Sequence, residues 1–244
     1  MIILAEKLDR RDDLAEKLRE WLRELLKDAS EGRISVEKNS GGWMVVETDD
    51  EKLVKSIISL QTKLNPIASE KPPRLSHVAE IGKTTIKVEY PTPSGETALK
   101  ELPIEPFTAS LGCEENPEEF LEAAGITEGS IVSISAEAPS HAQLKLVQEY
   151  VLRGLDRILV LNAAPQEIER LLSSQWAANL IADYQVLTLS SHVLYVKLGA
   201  MPSKVLQKIR EEMEKISKMI TVRLLSWKIL AELNTTFELR DCDA

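Results

Sequence analysis

Residues Arg157 to Ser226 carry the most restrictive pattern in the chain, a succession of apolar runs whose lengths and spacing read as one folding unit. Ile158, Leu159, Val160 and Leu161 form a short run suited to a buried strand. Pro165 fits a first helical turn, with Ile168, Leu171 and Leu172 at helical spacing behind Glu167 and Glu169. Two apolar runs, Val186 to Leu189 and Val193 to Leu198, are separated only by Ser190, Ser191 and His192, which is hairpin spacing. Val205, Ile209, Met213 and Ile216 then mark a second helix, and Ile220 to Leu225 a fourth strand. The order is βαββαβ, the split βαβ sandwich, in which two helices cover one face of a four-stranded antiparallel sheet.

The same order recurs at the start. Ile2 to Leu4 open a strand, Asp12 or Asp13 caps a helix carrying Leu14, Leu18, Leu22 and Leu25, and Ile34 and Val36 pair with Trp43 to Thr48 across an Asn39 to Gly42 turn. A second helix through Leu53, Val54, Ile57 and Leu60 and a weak strand over Lys63 to Ala68 complete it. Pro72 and Pro73 mark a boundary. Beyond them come strand-length runs at Leu75 to Ile81, Thr85 to Tyr90 and Thr97 to Leu102, a short helix capped by Asn116 with Pro117 at its first position, a stop at Gly125, and a last strand at Ile131 to Ala136. A connecting helix runs from His141 to Arg153. The expected fold class is therefore α+β: two ferredoxin-like βαββαβ units, residues 1–72 and 140–244, flanking a small OB-type β-barrel over 73–139.

Charge divides the chain along these lines. Residues 74–140 hold 4 Lys and Arg against 12 Asp and Glu, whereas residues 141–230 hold 12 against 8. The middle repels phosphate and the C-terminal unit tolerates it. No apolar run is long enough to span a bilayer, and Met1 leads straight into a strand with no basic leader, so the expected location is cytoplasmic, without a membrane partner. Cys113 and Cys242 lack a CxxC or Cys/His neighbour and are read as free thiols. The absence of phosphate-loop, dinucleotide and metal-spaced motifs leads to an expectation of no cofactor and no metal.

Gly154-Leu-Asp-Arg-Ile-Leu-Val-Leu-Asn-Ala163, Gln166-Glu-Ile-Glu-Arg170 and Ser191-His-Val-Leu-Tyr-Val-Lys-Leu-Gly199 resemble an uncharacterised conserved family of archaeal proteins. Gly82-Lys-Thr-Thr-Ile-Lys-Val, Leu111-Gly112 and Gly125-Ile-Thr-Glu-Gly129 are similar to it in spacing. The resemblance spans most of residues 1–226 and implies an N-terminal α+β unit, an RNA-binding-like barrel and a C-terminal α+β unit with a Gly-x-Asp-Arg strand. It also implies an archaeal cytoplasmic factor near transcription or translation. The chain departs from the pattern after Gly199, where the family continues Thr-Asp-Ala-like and this chain has Ala200-Met-Pro-Ser.

Candidate site residues follow from charge and position. Arg157, Lys197, Lys204, Lys208 and Arg223 are expected to meet an RNA or DNA backbone on or beside an open C-terminal sheet, although Arg157 reads more readily as a strand-edge ion pair with Asp156, and the lysines of the last helix as a solvated face. Tyr195 alone offers a stacking surface, which argues against sequence-specific single-strand reading. Phe107, Leu111, Glu114, Glu115 and Glu118 are expected to meet a basic protein surface. His141 and His192 read as surface or capping residues rather than catalytic bases. The expected function is a non-enzymatic accessory factor on a nucleic-acid–protein assembly, such as an RNA polymerase or a ribosome-associated complex. Two alternatives stay open: a scaffold or homodimer without nucleic acid, and an enzyme with an inter-domain site around Asp156, Arg157 and Lys197.

Overall fold

The computed structural model describes residues 1–25, 34–48 and 64–235. The helix expected through Leu53 to Leu60 and the thiol of Cys242 lie outside these residues. Three antiparallel sheets organise the α+β fold.

In the first sheet, β1 (Ile2–Lys7) pairs with β3 (Trp43–Thr48), which pairs with β2 (Ile34–Lys38), giving the order β1-β3-β2. Helix α1 (Leu14–Leu25) lays Leu14, Leu18 and Leu22 against Leu4, Met44 and Val46, as the three- and four-residue spacing dictates. The Asn39 side chain accepts from the amides of Gly41 and Trp43, and Gly42, at φ +81°, takes a left-handed turn conformation that a side chain would strain. The weak strand expected at Lys63 to Ala68 reduces to a bridge between Leu4 and Ile67, flanked by bonds from Ala5 N to Pro66 O and from Ala68 N to Ile3 O.

The middle sheet is a five-stranded half-barrel, ordered β6-β5-β4-β7-β8, from β4 (Arg74–Ile81), β5 (Thr85–Pro91), β6 (Thr97–Pro103), β7 (Ile131–Ser135) and β8 (Ala138–Pro139). Sequence reasoning missed helix α2 (Ile104–Ser110), because Pro103 and Pro106 read as breakers; both precede or enter a first turn, where the missing N–H would lack a partner anyway. Helix α3 (Pro117–Ala123) starts as expected, but Asn116 does not cap it through its side chain. Its amide bonds the Glu119 carboxylate instead, and its φ is +45°.

Helix α4 (His141–Arg153) is capped by Ser140, whose hydroxyl accepts from Gln143 N. It leads to β9 (Arg157–Leu161), α5 (Pro165–Leu172), α6 (Gln175–Leu180), β10 (Ile181–Thr188), β11 (Ser191–Val196), α7 (Pro202–Ile216), β12 (Thr221–Leu225) and α8 (Trp227–Leu233). The third sheet is ordered β10-β11-β9-β12. Sequence reasoning also missed α6, although Ser174, whose hydroxyl accepts from Ala177 N, is an N-cap signal.

The third sheet has no open face. Ile158, Val160, Leu194, Val196 and Val222 pack against α5 and α7 through Ile168, Val205, Ile209 and Met213. Leu159, Leu161, Val193, Tyr195 and Leu225 point the other way and join Phe120, Leu121, Val147, Tyr150 and Leu230 in a core that continues into the half-barrel through Val78, Val88 and Ile134. Both faces are covered because both carry large apolar side chains, so the half-barrel and the C-terminal unit share a core, while the first sheet keeps a cluster of its own that Ala164 and Leu189 join. The polar contacts between units are buried as well. Glu6 accepts from Leu189 N at 2.6 Å and from Ser190 Oγ at 2.5 Å, while Arg11 bonds Glu167.

Candidate functional site

Arg157 is 0% exposed, which removes it from any phosphate-binding role. Its guanidinium stacks 4.1 Å from the Tyr150 ring, and Nη2 donates to Ala123 O at 2.7 Å, at the C-terminal end of α3. That carbonyl is one of the orphan acceptors of a helix terminus, where a cation is favoured by the dipole. Asp156 turns elsewhere, its Oδ1 accepting from Trp227 N, so the expected ion pair is replaced by two separate ties between elements. Burial pushes the Arg157 guanidinium pKa down, and its Nε and Nη1 find no partner. Tyr195 is also fully buried beneath Arg153, donates to Gln185 Oε1, and is pushed up by burial to about 12. The proposed stacking surface is thus interior.

The other basic candidates divide. Lys197, at the end of β11, is exposed and donates to Ala178 O of α6 at 2.7 Å. Lys208 on α7 lies 4.8 Å over the half-buried ring of Trp176, also on α6, and Lys204 stands one helical turn before it, on the same stripe and exposed. The structure therefore gathers Lys197, Lys204 and Lys208 around α6 and the start of α7. Arg223 is half-buried on edge strand β12, in register with Leu159, and so belongs to the opposite sheet face. Trp176 is the residue sequence reasoning passed over; its place two residues after the cap Ser174, in a segment left unassigned, was the available signal.

Among the expected protein-contact residues, Phe107 and Leu111 are core side chains within the half-barrel cluster, because α2 turns its apolar face inward. Glu114, Glu115 and Glu118 are exposed, as expected. Glu114 borders a recess of about 350 Å³ that sequence reasoning did not foresee. Ile104, Thr108 and Cys113 floor it, Pro103, Pro106 and Pro117 wall it, and Lys83, Glu105 and Glu114 stand at its rim. Cys113 is a free, buried thiol that donates to Glu115 O, and burial raises its pKa, which disfavours the reactive thiolate.

The histidines correct a further expectation. His192 is wholly buried rather than at the surface: Nε2 donates to Ala163 O at 3.0 Å, and burial lowers its pKa to about 4. His77 does the same with Ala5 O, also at about 4. His141 is exposed in the first turn of α4. Among the described residues no group of three His, Cys, Asp or Glu is placed to hold a metal ion, and no helix is long and apolar enough to cross a membrane. Neither the known protein-family models nor the curated proteins give a match to this chain.

Proposed function

We propose that the chain is a non-enzymatic accessory factor that couples a nucleic-acid backbone to a protein within a larger assembly, of the polymerase- or ribosome-associated kind. Its scaffold reads as two ferredoxin-like units, residues 1–72 and 140–244, on either side of an OB-type half-barrel. The strand order β10-β11-β9-β12 and the placement of Ile67 beside β1 support that reading. The observation that carries the function is Lys208 over Trp176 of α6, with exposed Lys197 bonded to the same helix and exposed Lys204 one turn before Lys208, while Glu114, Glu115 and Glu118 are exposed on another unit. A lysine over an aromatic ring, with two further exposed lysines on the adjoining elements, suits phosphate contact without base reading. The carboxylates steer a basic protein surface and repel nucleic acid.

Fluorescence anisotropy of the full chain with a labelled single-stranded RNA and a DNA duplex, across a salt series, tests this reading. Binding should weaken steeply with salt, and K197Q/K204Q/K208Q should reduce affinity at least about tenfold and flatten the salt slope by roughly two to three. E114Q/E115Q/E118Q should leave it intact. Absence of binding to either nucleic acid at low salt would overturn the nucleic-acid half of the proposal.

A further inference from the structure

The loop between β11 and α7 is an ordered projection. Its Lys197 amide donates to Leu180 O, its Lys197 ammonium to Ala178 O, and Ala200 N closes a turn on Lys197 O. At its tip Leu198 is 85% exposed and Met201 56%, with Lys197 and Lys204 on either side. Among the described residues this apolar pair, held between two cations, is largely in water, and its order means that little entropy is lost on docking.

The complementary surface is the recess beside α2 and α3. Its apolar floor is Ile104, its walls are the rings of Pro103, Pro106 and Pro117, and Glu105 and Glu114 stand at the rim with Lys83 on the same rim. Exposed Glu115 and Glu118 follow the lining residues Glu114 and Pro117 in sequence. We infer that this recess receives the Leu198–Met201 projection of a second copy of the chain, with Lys197 and Lys204 of that projection facing Glu105 and Glu114. Charge complementarity selects the occupant: cations border the projection, two carboxylates face one lysine on the rim of the recess, and its volume of about 350 Å³ has room for Leu198 and Met201 together. The exposure of Leu198 excludes insertion into the recess of its own chain, so the contact is between copies. Projection and recess are different patches, so copies associate either head-to-tail or by reciprocal exchange of projections in a closed pair.

Sedimentation velocity on the full chain, without nucleic acid, over a concentration series tests this. The wild type should give a mass that grows with concentration, stopping at a dimer for reciprocal exchange and passing beyond it for head-to-tail association. L198D, with a spoiled projection, and E105K/E114K, with a spoiled recess, should each weaken association at least about tenfold. An equimolar mixture of the two variants retains one intact projection and one intact recess, and should form a 1:1 dimer and nothing larger, which also demonstrates that both variants are folded. A wild type that stays monomeric throughout, association unaffected by L198D, or a mixture that stays monomeric would each overturn the inference. The E105K/E114K variant keeps all three lysines of the proposed nucleic-acid edge, so its anisotropy with RNA separates failure of this contact from failure of that function.

Discussion

The guanidinium of Arg11 grips the carboxylate of Glu167 through two bonds of 2.6 Å, across 156 residues of chain. Both side chains are nearly inaccessible, at 1% and 5%, and Glu167 also caps α5 by accepting from Ala164 N. Arg11 reaches Asp13 and Asn162 O as well, so each of its outer nitrogens is used twice.

A buried pair of this kind stabilises little relative to an apolar replacement, yet losing one partner strands the other charge. R11M should therefore lower unfolding free energy by about 3–5 kcal/mol, and R11M/E167L should recover a substantial part of that loss. Urea denaturation of R11M, E167L, the double variant and the wild type checks this. A double variant as unstable as the sum of its single changes would show that the pair has no such coupling.

His77 and His192 make the acid limb of stability steep. Each carbonyl partner can only accept, so Nε2 carries the proton, and each Nδ1 is buried without a partner. Burial lowers both from 6.5 to about 4, so between those values the unfolded chain binds protons that the folded chain refuses. The stabilisation is full above pH 6.5 and is lost as pH falls toward 4, by roughly 3 kcal/mol for each residue. Urea midpoints measured from pH 7 to pH 4 should fall accordingly, and less so in H192Q.

Arg157 presents the opposite case, a buried cation held by a ring and a carbonyl, with no carboxylate bonded to it among the described residues. R157M keeps an unbranched side chain over Tyr150, and removing two unpartnered nitrogens offsets the loss of the bond to Ala123 O, so stability should change by less than about 1 kcal/mol. R157A leaves a cavity beneath the ring and should cost about 2–4 kcal/mol. Thermal and urea unfolding distinguish the two outcomes.

Local periodicity made much of the architecture readable. The leucine stripe of α1, the Val205 to Met213 stripe of α7 and the Asn39 to Gly42 turn all lie where spacing places them. The candidate site was less readable, because burial is decided by elements distant in sequence. Arg157 heads an apolar strand whether its sheet face meets water or α4, and only the packing of Tyr150 and Ala123 upon it tells which. Likewise, Leu111 beside acidic residues looked superficial, and the intervening α2 was hidden by prolines that suit a helix start. Exposed Lys197 and Lys204 needed no such distant information, since charge alone keeps them in solvent.

Glu6, from the sixth position of the chain, receives its hydrogen bonds from Leu189 and Ser190. During synthesis its carboxylate must stay hydrated until the hairpin that satisfies it has emerged, so β1 cannot reach its final environment while the chain is short. Maturation of the first strand is thereby tied to arrival of the last third, and a nascent chain halted before Ser190 would keep its opening segment wet and open to capture by chaperones.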